Sequence, residues 1–278
     1  MTSITDIRRA PHPTFHASRS PVICLHCSGS SGRQWQAYPN LLAAARVIAP
    51  DLLGSGTQGH WLGEHDVSLA DEVAALEPVL DRAGAAVHLV GHSYGGAVAL
   101  AVAMRWPERV EGLYLFEPVR FALLDNPGDR SAWNEITGVG QAIAAFARSG
   151  HLHASAEIFV DYWSGSGTWA ALPPARREAV AARMPKVRAE FGALFADDTL
   201  PSQYASLPMP VHLFHGTSSP WPARRVVELL AAACGNARVT CVEGTSHMGP
   251  IEQPARFAAL LAPLLDGVGA EAWSVQAA

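Results

Sequence analysis

The sequence predicts an α/β protein: a mostly parallel sheet flanked by helices on both faces, with one inserted helical segment. Three observations carry this expectation. Short, mainly apolar runs such as Pro21-Val22-Ile23-Cys24-Leu25-His26, Val87-His88-Leu89-Val90 and Val110 to Phe116 alternate with longer helical patterns. Runs that lack an in-out alternation are those of strands covered on both sides, as crossover helices cover a parallel sheet. The rhythm breaks after Pro118 and resumes at Pro210-Val211-His212-Leu213-Phe214. Residues 1–120 and 208–278 are therefore expected to form the core, and 121–207 a helical cap inserted between two strands.

The elements follow in order. Gln34 to Ala45 reads as a helix, and Arg46-Val47-Ile48-Ala49 as a short strand stopped by Pro50. Ser68-Leu69-Ala70-Asp71 resembles a capping box opening a helix that runs to about Arg82. Tyr94 to Arg105 is an Ala-rich helix between two strands. Within the insertion, Gln141–Ala147 and Arg176–Phe195 are the plainest helical stretches, and Trp133, Phe146, Phe159, Tyr162, Trp163 and Trp169 are read mainly as its own core. A helix after Pro222, a strand at Arg238–Val242 and a helix at Pro254–Leu265 complete the pattern, and the small-residue tail beyond Asp266 is expected to fray.

Composition narrows the function classes. The chain has 278 residues, 49% apolar and 16% charged, with a formal net charge of −5. No Lys/Arg run is long enough for a nucleic-acid footprint, and no apolar span is long enough to cross a membrane. The segment from Met1 to Ser20 is polar and lacks the apolar stretch of a secretion signal, which points to a cytoplasmic protein. Cys24 and Cys27 are spaced C-x-x-C, but they fall on opposite pleat faces without a second pair, so they read as packing residues. Neither a metal nor a cofactor is expected. Ser28-Gly29-Ser30-Ser31-Gly32 lacks the Lys-Ser/Thr ending of a phosphate-binding loop.

One motif carries chemistry. Gly91-His92-Ser93-Tyr94-Gly95 is a G-x-S-x-G sequence set between a strand and a helix. A nucleophile on such a turn sits in strained backbone, which flanking glycines accommodate, and the following helix aims its N-terminal N–H groups at developing negative charge. Ser93 is the candidate nucleophile.

With this elbow, the blocks Leu25-His26-Cys27-Ser28-Gly29-Ser30-Ser31-Gly32-Arg33-Gln34-Trp35, Ala49 to Gly56 and Gly244-Thr245-Ser246-His247-Met248-Gly249-Pro250-Ile251-Glu252-Gln253-Pro254 make the chain resemble the α/β-hydrolase family over nearly its whole length. The resemblance implies a serine hydrolase. His247 would be the general base, and the backbone N–H groups of Tyr94 and Ser28 the oxyanion hole, although the glycine usual before the second donor is Cys27 here. The acid usual in the family is missing: Gly216-Thr217-Ser218-Ser219 stands where it places Gly-x-x-Asp. Some members place the acid one strand earlier, after their sixth strand. Glu117, closing the run Gly112 to Phe116 before Pro118, is the candidate replacement, with Asp125 second.

Trp35 and Tyr94, beside the oxyanion blocks, are expected as pocket walls. His26, at the same edge, is expected to border the pocket with Trp35 as well as to shape the loop. The Ala- and aromatic-rich insertion, read as poor in charge clusters, points to a small apolar ester or lactone as substrate. Carbon–carbon bond hydrolysis or perhydrolysis on the same residues, and a non-catalytic ligand-binding homologue, are the competing readings.

Overall fold

A computed structural model describes residues 20–59, 61 and 66–266. Residues 1–19 of the segment read above as polar and the tail beyond Asp266 lie outside these. Six strands, β1 (Val22–Leu25), β2 (Val47–Ile48), β3 (Val87–His92), β4 (Val110–Phe116), β5 (Val211–Gly216) and β6 (Ala237–Val242), form one sheet in the order β2-β1-β3-β4-β5-β6. All five pairings are parallel. The helices are α1 (Tyr38–Leu41), α2 (Leu69–Ala83), α3 (Tyr94–Arg105), α4 (Arg130–Arg148), α5 (Leu152–Ser164), α6 (Thr168–Ala171), α7 (Pro174–Ala181), α8 (Met184–Phe195), α9 (Pro201–Tyr204), α10 (Trp221–Ala233), α11 (Gly249–Glu252) and α12 (Pro254–Leu265). None is long and apolar enough to cross a membrane.

The central strands are mainly apolar because alternate side chains enter different cores. Ile23, Leu25, Leu113 and Leu115 pack with α2, α3 and α10, whereas Val22, Cys24, Tyr114 and Phe116 pack with Tyr38 of α1 and Phe257 and Leu261 of α12. Helix α2 begins where its capping box predicts: Ser68 Oγ accepts from the Asp71 amide and Asp71 Oδ2 from the Ser68 amide.

Two expected helices are broken, both for the same reason. Gln34–Ala45 is a 3-10 turn (Gly32–Trp35) followed by the single turn of α1. Pro39 cannot donate the N–H that a continuous helix would need there, so it is tolerated only in a first turn. Arg176–Phe195 is likewise divided into α7 and α8, with Pro185 in the first turn of α8 and Arg183 at the break. The stretch at Gln141–Ala147 is, by contrast, the end of a much longer helix, α4.

Between β4 and β5 the described chain is helical, without a strand. Its entry and exit are clipped together by Arg120, which is 1% exposed. The guanidinium pairs with Asp197 and donates to the Tyr204 hydroxyl and to the Ala97 carbonyl of α3. A second buried set ties α8 to the elbow helix: Lys186 Nζ donates to Glu72 Oε1 (2.7 Å) and Glu190 Oε1 (3.0 Å), and the Tyr94 hydroxyl donates to Glu72 (3.2 Å). Burial pushes the Glu72 carboxyl above its ordinary value while Lys186 pulls it back.

Helix α3 starts hard against the end of β1, which only glycine permits. A Cβ on Gly95 would lie 2.3 Å from the Leu25 carbonyl oxygen and 2.5 Å from that of His26. Gly95→Ala is expected to lower stability by roughly 1–3 kcal/mol, the cost of forcing atoms into a packed interior, and to displace the turn at Ser93. Calorimetric melting checks this, and an unchanged Tm would contradict the packing described.

Candidate active site

Ser93 sits between β3 and α3 with φ 55° and ψ −120°. A non-glycine residue in that region is strained, and the surroundings must hold it there. Its N–H donates to the Phe116 carbonyl, and its own carbonyl caps α3 through Gly96 and Ala97. The hydroxyl therefore projects at the carboxyl edge of the sheet, above the N-terminus of a twelve-residue helix.

His247, on the loop between β6 and α11, places Nε2 3.0 Å from Ser93 Oγ. Its Nδ1 lies 2.5 Å from Glu117 Oε2. Ser93, His247 and Glu117 thus form one hydrogen-bonded chain, and all three are at most 5% exposed. Glu117 also has positive φ, at 46°. Its N–H extends the sheet ladder to the Phe214 carbonyl, and its Oε1 accepts the Gly216 amide at 2.8 Å. Pinned to β5 through both backbone and side chain, the carboxylate has its second oxygen left for the imidazole. Asp125, the other candidate acid, lies at the surface, 57% exposed and 3.7 Å from Arg130. Ser219, at the position of the family's usual acid, is a buried hydroxyl with no hydrogen-bond partner among the described residues.

The loop after β1 is held by side chains that pattern reading did not single out. Gln34 Oε1 accepts the Cys27 amide (3.0 Å), and its Nε2 donates to His92 Nδ1 (3.0 Å). His92 Nε2 then donates to the His247 carbonyl (2.8 Å). These partners require a neutral His92 protonated on Nε2, and burial duly pushes its pKa well below the usual value. One amide thus couples the Cys27-Ser28 loop, the elbow and the His247 loop. The spacing of Gln34 gave no sign of this, because the imidazole it reaches, His92, lies 58 positions away.

Three expectations about the pocket are corrected. Trp35 is fully buried on the opposite side of the sheet, against Tyr38 and Phe257, because the 3-10 turn points it into the second core. The Tyr94 ring is likewise in the core, held by Glu72, so only its backbone remains at the elbow. His26 is buried as well; its Nδ1 donates to the Cys27 carbonyl and its Nε2 accepts the Leu52 amide, fixing the loop rather than lining the cavity.

The cavity over Ser93 has a volume of about 590 Å³. Ser28, Cys27 and Ser93 form its floor with His247, and the insertion supplies Phe121, Phe159, Trp163, Phe191 and Leu194. The Trp163 ring lies 4.1 Å from the His247 ring, centroid to centroid, and is itself stacked on Phe121. This wall shields the imidazole from water and limits the orientations open to a ligand.

Comparison with known proteins agrees with this architecture. A model of the alpha/beta hydrolase family matches residues 22–260. A 2-hydroxymuconate semialdehyde hydrolase of Pseudomonas sp. (strain CF600) is 29% identical over 271 residues, 91% of this chain and 89% of that protein. A pimeloyl-(acyl-carrier protein) methyl ester esterase of Edwardsiella ictaluri is 27% identical over 260 residues, 91% of this chain and 96% of the other. Among solved structures, MGS-M2, an alpha/beta hydrolase enzyme from a Medee basin deep-sea metagenome library, superposes with a TM-score of 0.73 at 17% identity, covering 96% of this chain and 92% of that one. That likeness speaks to the fold alone.

Proposed function

The chain belongs to the alpha/beta hydrolase family, and on that footing we propose that it hydrolyses carboxylic esters or lactones through an acyl-enzyme on Ser93. The observation that carries the reading is the buried chain Glu117–His247–Ser93, with hydrogen bonds of 2.5 and 3.0 Å, bordering a cavity. In the proposed cycle Ser93 Oγ attacks the carbonyl carbon while His247 Nε2 takes its proton. Glu117 steadies the imidazolium that forms. The N–H groups of Tyr94 and Ser28 receive the oxyanion. As the tetrahedral intermediate collapses, His247 returns the proton to the departing alkoxide and an alcohol leaves. Water, activated by the same imidazole, then splits the acyl-enzyme to a carboxylic acid and regenerates Ser93.

A second reading rests on the relative named as a 2-hydroxymuconate semialdehyde hydrolase. The same residues would serve a carbon–carbon bond hydrolase if the leaving carbon is conjugated to a carbonyl that accepts its electron pair before protonation. Products separate the two: an ester yields acid and alcohol, whereas a carbon–carbon substrate yields acid and a fragment bearing a new C–H bond. The test is labelling with a fluorophosphonate followed by product analysis on esters, lactones and vinylogous 1,5-diketones. Ser93 is expected to be labelled and esters or lactones to be turned over. Turnover confined to the diketones would replace the ester reading, and an unlabelled, inactive protein would leave a ligand-binding homologue.

A further inference from the structure

The cavity is not uniformly apolar. Arg183, Arg176 and Arg33 line it, and no Asp or Glu does. Among the described residues, none of the three is engaged in an ion pair. Arg183 is half-buried, and its Nη1 donates to the Gly29 carbonyl, on the loop that carries Ser28. Burial and the neighbouring Arg176 both push its pKa down, the sign expected when two cations meet without a carboxylate between them. The break between α7 and α8, imposed by Pro185, is what leaves Arg183 at this position rather than inside a helix.

A half-buried guanidinium satisfied by only one carbonyl keeps several N–H donors for a ligand, and its planar fork matches a carboxylate. Phe121, Phe159, Trp163, Val180, Phe191 and Leu194 supply an apolar side to the same cavity. We propose that the substrate is an amphipathic anion, an ester with an apolar body and a free carboxylate, and that Arg183 with Arg176 receives that carboxylate beside the Ser28 loop. This rests on the ester reading above and sharpens it: the apolar substrate expected from composition would leave the half-buried Arg183 guanidinium without a counter-charge.

The experiment compares monomethyl adipate with methyl hexanoate, which differ by the terminal carboxylate. The wild-type protein should favour the anionic ester in kcat/KM. Arg183→Ala should reduce the anionic-to-neutral ratio by roughly 10- to 100-fold, the usual effect of losing a hydrogen bond to a charged group, and Arg176→Ala by less. Arg183→Lys should keep part of the ratio by keeping the charge. The ratio is the proper readout because loss of the Gly29 contact slows both esters alike. Binding of both esters to the Ser93→Ala protein by calorimetry, at low and high salt, gives a measure that needs no turnover. Tighter, salt-sensitive binding of monomethyl adipate supports the anionic subsite even if neither ester is cleaved and the ester reading falls. Equal binding, or ratios unchanged in both Arg→Ala variants, overturns the proposal while leaving Ser93 chemistry untouched.

Discussion

Ser93→Ala is expected to lower kcat/KM on an activated ester by roughly 10⁵- to 10⁶-fold, the scale seen when a serine nucleophile that works with a base is removed. The loss is large because the proposed steps all pass through one atom: without Oγ there is no acyl-enzyme, and His247 has no proton to take. What remains is catalysis by the pocket and the oxyanion N–H groups acting on bound water. Alanine keeps the Cβ at the strained φ of 55°, so the backbone cost of the elbow is unchanged and the variant should melt close to the wild type. Burst kinetics and fluorophosphonate labelling measure the effect. Retention of even a few per cent of wild-type turnover would place the chemistry on another group.

Glu117→Gln should cost roughly 10³- to 10⁴-fold in kcat, as with the corresponding amide replacements in serine hydrolases. Both carboxylate oxygens accept hydrogen bonds, one from the Gly216 amide and one from His247 Nδ1. A glutamine has one oxygen and one NH₂ group, so it can satisfy only one of these donors. If the oxygen stays on Gly216, the NH₂ faces Nδ1 and drives His247 into the tautomer protonated on Nε2, which cannot take a proton from Ser93. If it turns to His247, the Gly216 N–H is left buried and unpaired. Either way kcat falls with little change in ligand binding. Asp125→Ala, at an exposed site remote from the relay, should retain activity within about twofold, as surface substitutions commonly do. Full activity in Glu117→Gln would mean that another carboxylate serves His247.

The arginine subsite adds a constraint that composition concealed. An Ala- and aromatic-rich insertion, read as poor in charge clusters, suggested an apolar ester, yet Arg33, Arg176 and Arg183 all line one cavity. Net charge averages over a surface, whereas a binding site responds to the few groups that converge on it.

Local chemistry was legible in the sequence. Strand-length apolar runs, the capping box at Ser68, the start of α12 at Pro254 and the G-x-S-x-G turn each depend on residues within one or two turns of chain, and each element formed where it was expected. Proline had more influence than the helical periodicity suggested, dividing two expected helices at Pro39 and Pro185. The sequence also showed that the seat usual for the acid was empty and that Glu117 closes the neighbouring strand. What it could not supply was the direction of any side chain whose partners lie far along the chain. Glu117 reaches His247 across 130 positions, and His92 reaches the same loop across 155. Those meetings depend on β4 pairing with β5, on the positive φ of Glu117 and on the amide of Gln34, none of which leaves a periodic trace. For the same reason Trp35, adjacent in sequence to the oxyanion loop, turns into the far core, while Trp163, from the middle of the insertion, lies over the imidazole. Sequence alone located the elbow because its signature is five consecutive residues between a strand and a helix; the tertiary structure alone decided what holds and surrounds it, because packing joins residues that only strand order and burial bring together.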